Sequence, residues 1–200
     1  GAIILAGGQS SRMGTDKASL EISGKSIVER LLVKLSPIVD EIVVIRAPGQ
    51  DMPHFPEELK DMIREGWDSV KGQGPLQGIV DALPLLKPKI NKVFLLTCDL
   101  PCITTEWLQT IKDVMTDEFD IVCTEENGII NPFLAIYRRP VLEKASKLMS
   151  EGKRRPIFLW EGWRMARLSA PEETPWVCRG VNTPEEFKIA KKYFNTTKDD

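Results

Sequence analysis

A series of short apolar runs, separated by segments in which apolar residues recur at helical spacing, most constrains the fold. Residues 2–5, 42–45 and 92–98 are almost continuously apolar, which is typical of strands buried on both faces of a parallel sheet. Between the first two runs, Ser26 and Glu29 form a capping-box pattern at the start of an amphipathic helix. The strand–helix–strand order predicts right-handed crossovers and an α/β fold, a three-layer α/β/α sandwich around a mostly parallel, doubly wound sheet.

The same criteria predict the later elements. We expect further helices over residues 76–86, 105–115, 140–151 and 156–160, a last helix capped by Thr183, and strands over residues 120–124, 133–137 and 165–168. Residues 46–75 are expected to be mostly loop, with a short strand near residues 62–63. A chain of 200 residues suits a single domain, which we expect over residues 1–194, followed by a disordered tail at 195–200.

Composition narrows the class of partner. The net charge of −2 disfavours a nucleic-acid-binding surface, and the apolar runs are far shorter than the roughly 20 residues that cross a bilayer. The four cysteines form neither a CxxC pair nor the dense pattern of small secreted proteins. We therefore expect a reduced, cytoplasmic protein that binds neither nucleic acid nor membranes.

The first predicted strand runs directly into a glycine-rich loop, residues 5–17. Glycines allow backbone N–H groups to approach a ligand closely, and Arg12 and Lys17 supply positive charge for phosphate oxygens. The loop matches neither the Walker A pattern nor the GxGxxG dinucleotide pattern. It favours a polyphosphate ligand, with a generic glycine-rich turn as the alternative.

A carboxylate stands where the clearest strand ends. Asp99 follows residues 92–98, and Pro101 blocks continuation of the strand. A hard oxygen ligand at this place can hold Mg²⁺ against phosphate groups, because Mg²⁺ often takes only one or two carboxylates in addition to substrate oxygens. A helix N-cap or a turn residue is the alternative interpretation of this Asp.

Residues 5–17 read L-A-G-G-x-S-x-R-M-G-x-D-K and closely resemble the first-loop signature of nucleotidyltransferases that make nucleotide-activated products. Four further segments resemble, in the same order, those of the molybdenum cofactor guanylyltransferases: GPLQG at 74–78, CDLP at 98–101, GKRRP at 152–156 and NTPEE at 182–186. The resemblance covers nearly the whole chain. It implies a Rossmann-like nucleotidyltransferase sheet and Mg²⁺-dependent transfer of GMP from GTP to the phosphate of molybdopterin, with release of pyrophosphate.

The resemblance also implies residue roles. Catalytic residues would be Arg12, Lys17 and Asp99, with Asp99 as the metal ligand. Nucleotide-binding residues would be Leu5, Ala6, Gly7, Gly8, Lys17, Asp68, Gly74, Pro75, Leu76 and Asp99. Acceptor-binding residues would be Arg154, Arg155 and Asn182. A molybdenum-insertion protein or a target molybdoenzyme is a further candidate partner.

Several alternatives stay open. Gly7 favours guanine, because cytidylyltransferase relatives look more like LAAG at this loop, yet CTP or another phosphorylated acceptor remains an alternative, as does a nucleotide-binding adaptor without turnover. Arg46 and Gly180 stand where many family members have Asn, so the acceptor is less well defined than the transfer reaction. Asp68 and Asn182 also suit turns, and the pair at 154–155 also suits a solvated helix face.

Overall fold

The structure, a computed structural model, describes residues 1–7, 17–70 and 72–197. The strands are β1 (Ala2–Leu5), β2 (Glu21–Ile22), β3 (Lys25–Ser26), β4 (Ile42–Arg46), β5 (Ile63–Trp67), β6 (Lys92–Thr97), β7 (Ile121–Glu126), β8 (Ile129–Arg138) and β9 (Met165–Ser169). The α-helices are α1 (Ile27–Leu35), α2 (Pro75–Ala82), α3 (Thr105–Val114), α4 (Arg139–Ser150) and α5 (Pro184–Thr197). Short 3₁₀ helices cover Lys17–Ser19, Glu57–Met62, Leu83–Leu85, Pro156–Trp160 and Pro175–Cys178. No helix within these ranges is long and apolar enough to cross a membrane.

Seven strands form one sheet in the order β5-β4-β1-β6-β8-β7-β9. The first four are mutually parallel, β8 runs antiparallel to both β6 and β7, and β9 is parallel to β7. The α/β prediction of a mostly parallel, doubly wound sheet is confirmed. One detail differs from simple alternation: β8 lies between β6 and β7, so the unit β6–α3–β7 skips one position in the sheet.

The core has two layers because successive strand residues point to opposite faces. Ile3 and Leu5 of β1 pack with α2 and α4 on one face, whereas Ala2 and Ile4 pack with α1 and α3 on the other. All four residues are buried, as the continuous apolar run predicts for a central parallel strand. The sheet is therefore covered on both faces, and its strand ends are left for a ligand.

Two strand predictions need correction. The short strand predicted near residues 62–63 is a full edge strand, β5. Its sequence, Ile-Arg-Glu-Gly-Trp, lacks the apolar run used to predict strands, because an edge strand need not be apolar. The hairpin of β2 and β3 was not predicted, although Ser23 and Gly24 at its turn both have positive φ, as a two-residue type I′ turn requires.

The predicted tail also needs correction in part, because residues 195–197 belong to the last turn of α5. Two contacts hold this turn: Ser23 Oγ donates to Asn195 Oδ1 at 3.0 Å, and the Arg30 guanidinium lies over the Phe194 ring at 4.1 Å. Phe194 itself packs with Ile22 and Ile27 in a third, smaller apolar cluster. The sequence alone does not predict this last turn at residues 195–197 because these partners lie far away in the chain. Residues 198–200 lie outside the described ranges.

Candidate active site

The carboxyl ends of four parallel strands meet at one edge of the sheet, where ligands of doubly wound folds bind. Leu5 of β1 is paired with Thr97 of β6, so the loops after these strands leave the sheet side by side. Gly7 and Asp99 each lie two residues beyond this pair. Because β7 is parallel to β9 and antiparallel to β8, the β7–β8 turn reaches the same edge. This edge brings the two predicted loops together.

Asp99 lies in the middle of this edge, and its carboxylate contacts the side chains of Thr97 and Lys17. Thr97 Oγ1 donates to Asp99 Oδ1 at 2.6 Å, and Lys17 Nζ lies 3.9 Å from Asp99 Oδ2. Lys17 Nζ also donates to Asn182 Oδ1 at 2.7 Å. The Asp99 side chain is 22% exposed, so its carboxylate is fixed in direction but open to a ligand. The structure thus places Lys17, Asp99 and Asn182 together, although they lie far apart in sequence.

The donor set fits Mg²⁺ bound with a polyphosphate. Asp99 offers hard carboxylate oxygens at an accessible position. Within residues 1–7, 17–70 and 72–197, no group of three His, Cys, Asp or Glu side chains could hold a metal by itself. Asp99 would therefore supply the protein ligand, and phosphate oxygens and water the others, an arrangement that Mg²⁺ accepts because it gives up its waters reluctantly.

Asp68 lies on the β5 side of this edge, in a space left by two glycines. Its backbone N–H donates to Arg46 O at 2.9 Å, which continues the pairing of β4 and β5. A Cβ on Gly7 would lie 3.2 Å from Asp68 Oδ2 and 2.8 Å from Ala47 N, and a Cβ on Gly78 would lie 3.2 Å from Asp68 Oδ1. Both glycines are therefore needed for the carboxylate to lie against the first loop.

The Asp68 carboxyl has an unusual environment. Partial burial raises its pKa, and the negative charge of Asp81 raises the pKa further. Asp81 in turn holds the residue after Asp68, since Ser69 N donates to Asp81 Oδ2 at 2.8 Å and Ser69 Oγ donates to Oδ1 at 2.9 Å. Gln77 Nε2 also donates to Asp81. Asp81 was not predicted as part of the site, and no local sequence signal points to it.

The GPLQG segment begins α2 and positions the loop above it. Gly74 has φ 81° at the N-cap, a conformation that favours glycine, and Pro75 occupies the first turn, where its missing N–H costs nothing. The side chains of Leu76 and Leu5 are buried in the core. Ala6 is also buried, and its carbonyl accepts from Gln50 Nε2 at 3.1 Å. Any nucleotide contact of Leu5 or Leu76 would have to come from the main chain.

Arg154 and Arg155 differ sharply in their surroundings. The Arg154 guanidinium donates to Gln73 Oε1 at 2.9 Å and to Met149 O at 2.8 Å. It thereby ties the end of α4 to the loop that precedes Gly74. Arg155 is exposed at the start of a short 3₁₀ helix. The structure places both residues on the α2–α4 face of the sheet and shows no contact of either with Asp99.

Gly180 and Arg46, the two departures noted in the sequence, have clear surroundings. A Cβ on Gly180 would lie only 2.9 Å from Asp99 Oδ2, so the absence of a side chain lets this backbone pack directly against the carboxylate. Arg46 lies 3.9 Å from Glu65 Oε2 and donates to Gln50 O at 3.4 Å. Sequence reasoning missed the role of Gly180 because Asp99 lies far away in the chain. Gly8 and Arg12 lie outside the described residues.

The chain is similar to proteins of a known family. Residues 2–165 match the family described as MobA-like NTP transferase domain. A probable molybdenum cofactor guanylyltransferase of Bacillus cereus is 31% identical over 194 residues, which cover 95% of this chain and 94% of that protein.

Solved structures share the fold at lower identity. Molybdopterin-guanine dinucleotide biosynthesis protein A from Archaeoglobus fulgidus has a TM-score of 0.75 at 20% identity and covers 98% of both chains. A 4-diphosphocytidyl-2C-methyl-D-erythritol synthase from Anaerococcus prevotii has a TM-score of 0.69 at 14% identity and covers 97% of this chain and 95% of that chain. The family match extends over most of the chain and includes β1, Asp68 and Asp99. The chain belongs to the MobA-like NTP transferase family.

Proposed function

We propose that the protein transfers GMP from GTP to the phosphate of molybdopterin in a Mg²⁺-dependent reaction that releases pyrophosphate and forms molybdopterin guanine dinucleotide. The observation that carries this proposal is the grouping of Lys17, Asp99 and Asn182 at the carboxyl end of β6. The Bacillus cereus relative, named for guanylyl transfer, supports the choice of substrates. Lys17 and Asp99 are then the catalytic residues among those described.

The chemistry needs little from the protein beyond position and charge. An oxygen of the acceptor phosphate attacks the α-phosphorus of GTP, a new P–O bond forms, and the bond to the bridging oxygen breaks with its electron pair leaving on pyrophosphate. The acceptor phosphate is already ionised at pH 7, so no general base is required. Lys17 Nζ, held by Asn182, offers positive charge to the phosphate oxygens. When bound, Mg²⁺ would neutralise further phosphate charge, with Asp99 holding it.

Guanine is the base that Asp68 fits best. An ionised carboxylate accepts two parallel hydrogen bonds, and the Watson–Crick edge of guanine offers two adjacent donors, N1–H and the N2 amino group. Cytosine offers only its N4 amino group on that edge. The Asp68 carboxylate lies beside Gly7 of the first loop and Gly78 of α2. This arrangement supports GTP over CTP.

The test is anaerobic measurement of Mg²⁺-dependent pyrophosphate release with GTP or CTP, each with and without molybdopterin. We expect release with GTP that depends on molybdopterin, and loss of that release in Asp99→Asn. Release with CTP alone would contradict the base assignment. Nucleotide binding without release in any mixture would favour a different acceptor or an adaptor, and absence of binding would contradict the proposal altogether.

A further inference from the structure

A cavity of about 700 Å³ opens on the other side of Asp99 from Asp68. It lies between the β7–β8 turn, the segment 176–180 and α5, and we call it the hairpin cavity after the turn. Its lining includes Glu126, Ile129, Pro132, Trp176, Arg179 and Ile189. Among the lining residues, Glu186 belongs to the NTPEE segment and the others belong to none of the sequence motifs.

Strand order places this cavity opposite the nucleotide. Asp68 and Gly7 follow β5 and β1, which lie on one side of β6, whereas β8 and β7 lie on the other side. Asp99, at the end of β6, therefore stands between the two spaces. Gly180 lines the cavity, and a Cβ there would lie 2.9 Å from Asp99 Oδ2. Gly180, which lines the hairpin cavity, therefore lies directly against the carboxylate that would hold the metal.

The cavity exposes an unusual amount of apolar surface. Ile129 is 73% exposed and Ile189 is 51% exposed, and both face the same space as Trp176 and Pro132. Large apolar side chains gathered around one concavity mark a binding site more often than isolated ones do. Cys178 also lines the cavity, and burial raises the pKa of its thiol to about 12, so it contributes a neutral wall. These walls suit a planar ring.

The cavity lining also includes a positively charged side chain, Arg179, that could bind an anionic ligand. Arg179 Nε donates to Glu126 Oε1 at 2.7 Å, and the Arg179 guanidinium lies 5.5 Å from the centre of the Trp176 ring. Both ion-pair partners are partly exposed, so an incoming phosphate can replace the Glu126 carboxylate without uncovering a buried charge. Arginine is well suited to this exchange because its planar guanidinium binds carboxylate and phosphate alike.

We propose that the hairpin cavity is the acceptor subsite and takes a phosphorylated heterocycle of the pterin type. The ring lies against Trp176, Ile129 and Ile189. Arg179 binds the phosphate, on the side of the cavity where Gly180 contacts Asp99. This inference rests on the proposed transfer reaction. It moves acceptor binding away from Arg154, whose guanidinium is held by Gln73 and Met149, and from Arg155 on the α2–α4 face.

Equilibrium binding of molybdopterin under anaerobic conditions, followed by calorimetry, tests this inference without relying on turnover. Arg179→Gln should raise the Kd for molybdopterin about tenfold or more, because a charge-assisted contact is lost, while the Kd for Mg-GTP stays within about twofold. Ile129→Glu, at a site too exposed to disturb folding, should weaken molybdopterin binding about fivefold through repulsion and loss of apolar contact. Arg167→Gln is the matched control, since Arg167 pairs with the neighbouring Glu125 at 3.5 Å but does not line the cavity.

The outcomes separate this inference from the proposed function. Unchanged molybdopterin binding in both Arg179→Gln and Ile129→Glu would overturn the hairpin cavity as acceptor site. A loss confined to Arg155→Gln would do the same and would return the acceptor to the α2–α4 face. A wild-type protein that binds GTP but neither binds molybdopterin nor releases pyrophosphate would overturn both proposals. An active wild type whose molybdopterin binding is unchanged in both Arg179→Gln and Ile129→Glu would overturn this one alone.

Discussion

The two sides of Asp99 are built differently. On the nucleotide side, Gly7, Asp68 and Gly74 each lie in a loop that follows a strand or precedes a helix, so the chemistry sits in short stretches of consecutive residues. On the acceptor side, the hairpin cavity is made by the β7–β8 turn and α5, which are distant in sequence, and only Glu186 of its lining belongs to a motif. A phosphate-binding loop can therefore be recognised from consecutive residues, whereas a pocket for an organic acceptor depends on how distant segments pack together.

Asp99 borders both sides, so its loss should have the largest effect. Asp99→Asn should lower kcat by about a thousandfold or more, because the amide removes the negative charge that would hold Mg²⁺. Pyrophosphate release under saturating GTP measures it. Asp117→Asn, at an exposed aspartate whose partner Arg138 is far from the site, is the control. Substantial Mg²⁺-dependent turnover in folded Asp99→Asn would mean that the metal is held elsewhere.

Gly180 separates the acceptor space from the carboxylate, so Gly180→Ala should come next. The added Cβ would lie 2.9 Å from Asp99 Oδ2 and must push the carboxylate aside, which we expect to lower kcat by about ten- to a hundredfold. GTP affinity measured without Mg²⁺ should stay within about twofold, because the base lies on the other side of Asp99. Full activity in Gly180→Ala would show that turnover does not depend on this position of the Asp99 carboxylate.

Substitution of Asp68 should weaken nucleotide binding alone. Asp68→Asn replaces one acceptor oxygen with a donor facing guanine donors, so the Kd for GTP should rise about ten- to a hundredfold. The Kd for molybdopterin should not change. Calorimetric titration with each ligand separates the two effects. Equal weakening of both ligands would break the division between the two sides.

The pH dependence of GTP binding should follow Asp68 as well. Burial and the charge of Asp81 raise the pKa of Asp68, so its carboxylate takes up a proton at a higher pH than an ordinary aspartate does. As the pH is lowered through this pKa, GTP affinity should fall. Asp81→Asn removes the neighbouring charge, lowers the pKa of Asp68 and should move this fall to a lower pH. A GTP affinity profile over acid pH, measured for both proteins, tests the direction. A shift to higher pH would contradict the assignment.

Glu41 lies at the opposite edge of the sheet, so its substitution should change neither nucleotide nor acceptor binding. Its buried carboxylate accepts from Arg64 Nε at 2.9 Å and Lys87 N at 2.8 Å. Burial opposes ionisation, but these hydrogen bonds outweigh it and lower the pKa of Glu41. The stabilisation is therefore present above the pKa of Glu41 in the unfolded chain and is lost as pH falls through the lower, folded value.

Glu41→Gln should accordingly lower the free energy of unfolding at pH 7 by about 1–2 kcal/mol and leave kcat unchanged below the melting transition. Urea unfolding of the wild type and Glu41→Gln at pH 7 measures the loss of stability. The same experiment at acid pH should show a smaller difference between the two proteins. A variant as stable as the wild type at pH 7 would show that the Glu41 contacts do not stabilise the fold.

The elements of the nucleotide side are easier to predict from the sequence than those of the hairpin cavity, for physical reasons. The apolar runs of β1, β4 and β6 reflect burial on both faces, and the loops that follow them carry Lys17 and Asp99. The antiparallel insertion of β8 has one local signal, the Asn127–Gly128 turn with two positive φ values, which would have predicted the β7–β8 hairpin. The approach of Gly180 to Asp99 has none, because it depends on how distant segments pack.

A structure of the ternary complex with Mg²⁺, a GTP analogue that cannot be cleaved between the α- and β-phosphates, and molybdopterin tests the central claim most directly. The account predicts Mg²⁺ on Asp99, guanine at Asp68, and the pterin in the hairpin cavity with its phosphate at Arg179. A pterin bound beside Arg154 and Arg155, or a nucleotide in the hairpin cavity, would contradict it.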